Sequence, residues 1–238
     1  MGKPSTINEP IDGEDFIAVV KPALMKCDAA ALAHSVNVRW TTRQVCKLLK
    51  HPNLDIRRVA AVVLGMVGDE HTITCLTHAL RDTDGQVNQM CEHALWSIWF
   101  RQGTPQSSAV FSQGISLLAE DELKLAIHAF RKAVEISPDF AEAWNQLGIA
   151  YYLNGQYKLS VKASQQAIKL IPTHFGAIAG MGHAFAQLDE LTLALRCYRR
   201  AKRINPQMDG LKGALDRLQT KIVDMSDSGY FEIDQMIA

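Results

Sequence analysis

The side chains with chemistry to offer fall in three places. His71, Cys75 and His78 stand at i, i+4 and i+7, which brings two imidazoles and a thiol to one flank of a helix. By type these are ligands for zinc or iron. Their equivalents in the preceding repeat are Trp40, Gln44 and Lys47, a pattern that places the trio on a lateral, partly exposed face with no fourth ligand, so no metal is expected. Asn145 and Tyr152 offer a different chemistry. An amide that donates and accepts at once, beside an aromatic ring, suits the backbone and side chains of a bound peptide. Arg196, Arg200 and Arg203, with Arg199 and Lys202 beside them, could contact phosphate. A solvated outer face near a helix C-terminus explains them better, because residues 107–238 carry 14 basic and 14 acidic side chains. No Gly-rich phosphate loop, nucleophile elbow or Cys/His catalytic pairing occurs, so neither a catalytic residue nor a cofactor is expected. His34, His51, His128 and His174 are scattered and receive no role.

The elements that must position Asn145 and Tyr152 are periodic. Gly114, Gly148 and Gly182 recur at one constant interval, and the same interval separates Ala133, Ala167 and Ala201, and Pro138, Pro172 and Pro206. A fixed period of this size marks a stacked repeat. Within one unit, Trp144, Leu147, Gly148 and Tyr151 recur at helical spacing, Asn154-Gly155 reads as a turn, and Val161, Ser164, Ala167, Ile168 and Ile171 resume the stripe. Each unit is therefore a helical hairpin. Small residues at Gly148 and Ala167 let its two helices approach closely, and the proline ends the second helix.

Trp144-x2-Leu147-Gly148-x2-Tyr151 with Pro172, and Ala126-x3-Phe130 and Ala194-x3-Tyr198 in the flanking units, resemble the tetratricopeptide repeat. The resemblance covers three units at about 107–206, with Ser160 and Ser164 as departures in the middle one. It implies an all-α helical-hairpin solenoid whose first helices line a concave groove. Carried over by position, the lining is Phe111, Ser112 and Ile115, then Glu142, Asn145, Ile149 and Tyr152, then Gly176, Ala179, Gly180, His183 and Gln187. No Lys or Arg occupies this set, so the family's basic clamp for carboxylate-ended chaperone tails is missing. The implied function is a non-catalytic scaffold that binds a peptide or helix of a protein partner, with Asn145 holding the partner's amide and the small residues near Gly180 forming a shallow floor.

A second, slightly shorter period sets Leu49–Arg57 over Leu80–Asn88. Ile56, Val59, Ala60, Val63 and Leu64 then fall on Val87, Met90, Cys91, Ala94 and Leu95. Two amphipathic helices are predicted, preceded by shorter ones at Thr41–Leu49 and Thr72–Leu80. Asp55-Ile56-Arg57 with Ala60, Ala61, Leu64 and Gly65 resembles the short HEAT-type repeat also seen in phycobilin lyases. That resemblance implies the alternative function, a HEAT-repeat accessory protein or lyase of the phycobilin type. The iron-binding His-Glu pairs of HEAT-type hydroxylases are not matched, because this chain has Glu70-His71 and Glu92-His93 in reversed order. Two such units need cover. Residues 14–37, read as two short helices separated by Pro22, supply it upstream. Trp96, Trp99 and Phe100 are expected to fill the downstream seam of one continuous superhelix.

The expected organisation is a loose N-terminus at 1–13, HEAT-like repeats at 14–102, three tetratricopeptide repeats at 107–206, a capping helix at 207–224 and a mobile tail at 225–238. Leu211, Leu215, Leu218 and Ile222 give that capping helix one apolar stripe. The 238 residues are 47% hydrophobic with zero formal charge, which argues against a nucleic-acid partner and leaves self-association open. No run approaches a membrane span, and no signal peptide is read at the N-terminus, although Met1-Gly2 opens a loose myristoylation pattern. Five scattered cysteines without a CxxC point to free buried thiols and the cytoplasm.

Overall fold

The computed structural model describes residues 10–227, and among these every regular element is helical. The expected myristoylation pattern and most of the two termini expected to be loose lie outside the described residues. The chain divides into two compact units, Met1–Arg101 and Gln102–Ala238.

The first unit holds α1 (Gly13–Met25), α2 (Ala29–Arg39), α3 (Thr42–Leu48), α4 (Leu54–Val67), α5 (Ile73–Ala79) and α6 (Gly85–Phe100). Pro22 does not separate a pair of helices as expected, but lies inside α1. Its missing N–H costs α1 one bond to the Ala18 carbonyl, near the helix end. The chain breaks instead at Cys27, in the left-handed region at φ 52°, and Asp28 caps α2 through the Ala31 N–H. The shorter period is visible in the helix starts. Thr42 and Ile73 open the short helices, and Leu54 and Gly85 open the long ones, at the same offset. Asn53 and Asp84 are the matching N-caps.

The arginines that mark only the first of these hairpins reach the loop of the second. Arg57 makes a two-pronged pair with Asp82 at 2.8 and 3.0 Å while donating to the His51 carbonyl. Arg58 bonds Asp84 at 3.3 and 3.1 Å. The Arg58 hydrogen bond, joined by the Val87 N–H, holds the Asp84 carboxyl below the usual Asp range. A carboxyl lowered on folding stabilises above its unfolded pKa, and that contribution is lost as pH falls through the lowered folded value. The melting temperatures of wild type and Asp84→Asn should therefore differ at neutral pH and converge in acid. A gap that stays constant would contradict the ion pair.

One expectation about cysteine is corrected. Cys46 on α3 and Cys75 on α5 are joined as a disulfide, with Cα atoms 5.9 Å apart. Scattered spacing hides the pair because the short helices bring them together from distant points of the chain. Cys27, Cys91 and Cys197 remain free. Burial pushes the Cys91 thiol up to about 12 and Cys197 to about 11, so both are inert packing groups. The inference of a cytoplasmic location from unpaired thiols loses that support.

The second unit holds α7 (Pro105–Ala119), α8 (Leu123–Ile136), α9 (Ala141–Leu153), α10 (Tyr157–Leu170), α11 (Phe175–Gln187), α12 (Leu191–Ile204) and α13 (Leu211–Asp227). The starts of α8, α10 and α12 keep the interval of the repeated glycines, as do those of α9 and α11. Each hairpin turns at a left-handed residue: Asp121 at φ 61°, Gly155 at 73° and Asp189 at 60°. Only the middle turn shows this in sequence, as Asn-Gly. Asp tolerates the same conformation because its short side chain can bond locally. α13 starts later than the expected capping helix because Gly210 is left-handed. Its Leu211, Leu215 and Leu218 are buried as expected, with Ile222 partly buried beside them.

Candidate functional site

The face built by α9 and α11 is held from beneath by one buried polar cluster. His174, the N-cap of α11, accepts the Ala177 N–H at Nδ1, 3.2 Å. The ring proton therefore sits on Nε2, which donates to Glu142 Oε2 at 2.9 Å. Glu142 Oε1 accepts from Asn145 Nδ2 at 3.1 Å and from Gln146 Nε2 at 2.7 Å. Three donors converge on this carboxylate, and Glu142, Asn145 and His174 are all buried. The cluster ties α9 to the start of the next repeat.

This corrects part of the expected lining. Asn145 is 1% exposed and spends its amide N–H on Glu142, so it cannot hold a partner's amide. Glu142 faces His174. Phe111 is buried against Phe130 and Phe140, with ring centroids 5.7 and 4.8 Å away, and Ala179 is in the core. The residues that reach solvent are Ser112 and Ile115 on α7, Ile149 and Tyr152 on α9, and Gly176, Gly180, His183 and Gln187 on α11. A Cβ at Gly180 would meet nothing nearer than Ser164 Oγ at 4.0 Å, which leaves that floor open.

At the C-terminal ends of α9 and α11 the polar and aromatic groups lock together. The Tyr152 ring lies 5.5 Å from Tyr157 and 6.2 Å from His183. Gln187 Nε2 donates to the Tyr152 hydroxyl at 3.4 Å. His183 in turn meets Tyr198 edge-on at 5.2 Å, with 2.8 Å between His183 Nδ1 and the Tyr198 hydroxyl. Burial pushes the Tyr198 hydroxyl up to about 12, and burial followed by the nearby Arg217 lowers His183. Both shifts favour the neutral groups, which share one hydrogen bond between the Tyr198 hydroxyl and His183 Nδ1. Sequence alone misses two of these anchors. Tyr198 reads there as core packing and nothing more. His174 occupies the repeat position of Phe140, and that change from an aromatic to a capping side chain is its signal.

The other sequence candidates do not assemble into a site. Cys75 is bonded to Cys46, and among the described residues no three His, Cys, Asp or Glu side chains come together as a metal site. Arg200 donates to the Pro172 carbonyl at 2.6 Å, so this arginine staples α12 to the preceding loop. Among the described residues no helix is long and apolar enough to cross a membrane.

Comparison with known proteins agrees with the hairpin geometry. The family descriptions "TPR repeat" and "Tetratricopeptide repeat" match residues 116–155 and 141–174, so the hairpins of that stretch carry tetratricopeptide repeats. No curated protein sequence matches the chain. Among solved structures, the Sgt2 TPR domain from Aspergillus fumigatus aligns with a TM-score of 0.51 at 22% identity, over 55% of this chain and 87% of that one. The first TPR domain of human RPAP3 gives 0.50 at 16%, over 51% and 96%. The first TPR of Spaghetti (RPAP3) bound to the HSP90 peptide SRMEEVD gives 0.49 at 16%, over 52% and 98%. At these identities the first two alignments show a likeness of fold alone.

Proposed function

We propose that the chain is a non-catalytic interaction scaffold that takes an extended peptide or a helix of a protein partner across α9 and α11. The observation that carries this reading is the half-buried ring set of Tyr152, Tyr157 and His183, fixed by Gln187 and Tyr198. Rings already locked lose little freedom on binding, so contact with them is efficient. Tyr152 and the His183 ring offer polar contacts, and the open surface at Gly180 admits a side chain. The lining positions supply no Lys or Arg, which disfavours a peptide ending in clustered carboxylates. The experiment is capture of the partner from the native host by the full chain, followed by affinity measurement. Tyr152→Ala and His183→Ala should each weaken binding roughly tenfold. Undiminished affinity in both would remove this face from consideration.

A second reading concerns the first unit. The coincident helix starts favour HEAT-like repeats, and a groove of about 1160 Å³ runs along α3 and α5, lined by Arg43, Lys50, His71, His78 and the Cys46–Cys75 pair among others. An accessory protein or lyase of the phycobilin type would use such a groove for a prosthetic group. Visible absorbance unchanged on mixing with a tetrapyrrole would end that reading.

A further inference from the structure

A row of exposed leucines crosses the second helices of the three repeats. Leu125, Leu159 and Leu193 are 54%, 40% and 37% exposed, and each is third in its helix, at the same register position of its repeat. One exposed leucine is ordinary. Three at a single register position form a line. Their neighbours repeat as well. At i−3 from each leucine stand Glu122, Gln156 and Glu190, and at i+3 stand His128, Lys162 and Arg196, all exposed. Side chains at this spacing share a helix face. Each helix thus presents an acid or amide, then a leucine, then a basic group, from N to C. Beside Leu159 a groove of about 360 Å³ opens over Trp144, Leu147 and Tyr151.

We propose that this row is a self-association face and that its occupant is a second copy of this chain. An isologous interface needs a patch that is its own complement under a two-fold axis. An axis along the row lays each second helix antiparallel on its counterpart, leucine on leucine. The same operation brings Glu190 onto the partner copy's Arg196, with Gln156 facing Lys162 and Glu122 facing His128. Turning the axis along the helices would oppose acid to acid. The order of charges therefore selects one arrangement, and the zero formal charge of the chain sets no net repulsion against it.

Sedimentation velocity of the full chain should show a concentration-dependent dimer below about 200 µM. Leu125→Glu, Leu159→Glu and Leu193→Glu combined should weaken it roughly hundredfold or more, with helical circular dichroism unchanged because these side chains face solvent. Glu122→Lys with Glu190→Lys should weaken it alone, and should recover a heterodimer when mixed with a chain carrying His128→Glu and Arg196→Glu. Tyr152→Ala should leave association intact, which separates this face from the peptide-binding one. A wild type that stays monomeric, a triple variant that associates undiminished, failure of the charge-reversed pair to recover, or a row that takes only a foreign helix would overturn the proposal.

Discussion

Glu142→Ala should destabilise the second unit by about 2–5 kcal/mol, through the buried donors it leaves without an acceptor. The carboxylate is buried and receives His174 Nε2–H, Asn145 Nδ2 and Gln146 Nε2. Deleting it leaves the buried His174 and Asn145 donors, from adjacent repeats, without their acceptor, and each such group costs about 1–3 kcal/mol. His174→Ala should cost a similar amount by the opposite route, since it strips the carboxylate of its cross-repeat donor and removes the cap on the Ala177 N–H. The two losses should not add, because each variant destroys the same bond. Urea denaturation of both single variants and the double checks this. Single losses below about 1 kcal/mol would mean that the cluster is incidental to stability.

The second large effect separates three glycines that look equivalent in sequence. A Cβ at Gly182 would stand 2.7 Å from Tyr198 Cε1 and 3.1 Å from Cys197 Cβ, and one at Gly114 would stand 2.7 Å from Phe130 Cε1. Those rings are buried and cannot retreat, so Gly114→Ala and Gly182→Ala should each cost about 1–3 kcal/mol through overpacking. At Gly148 the nearest atom is Ser164 Oγ at 3.0 Å, followed by the Ser160 carbonyl at 3.4 Å. A hydroxyl can rotate, and alanine favours the helix by about 1 kcal/mol over glycine. Gly148→Ala should therefore be close to neutral or stabilising. Equal destabilisation at all three positions by thermal or urea denaturation would contradict this packing. Gly182→Ala should also loosen His183, because the ring it displaces belongs to Tyr198.

The helices are legible in the sequence because periodicity reports burial. Gly114, Gly148 and Gly182 keep a fixed interval since hairpins stack, and the stripe Leu211, Leu215, Leu218 and Ile222 marks α13 since one side of an end helix must be covered. Ser160 and Ser164 depart from the repeat pattern of the middle hairpin for a packing reason. Both are buried; Ser164 faces Gly148 where the flanking repeats use the rings of Phe130 and Tyr198, and Ser160 stands in for Ala126 and Ala194. The site is less legible. Position in a repeat tells which helix carries a residue, but not whether its side chain finds a partner first. Asn145 reads as a ligand contact and is spent on Glu142, while His174 has no role until the next repeat folds against α9. The Cys46–Cys75 pair is hidden for the same reason, since contact between successive repeats is not written in local spacing.

A protein partner is proposed to lie on α9 and α11. Hydrogen–deuterium exchange of the full chain, with and without the partner captured from its host, tests it most directly. New protection is expected in peptides covering Ile149, Tyr152, Gly180, His183 and Gln187. Protection confined to the α3 and α5 groove, with α9 and α11 exchanging as in the free chain, would contradict it.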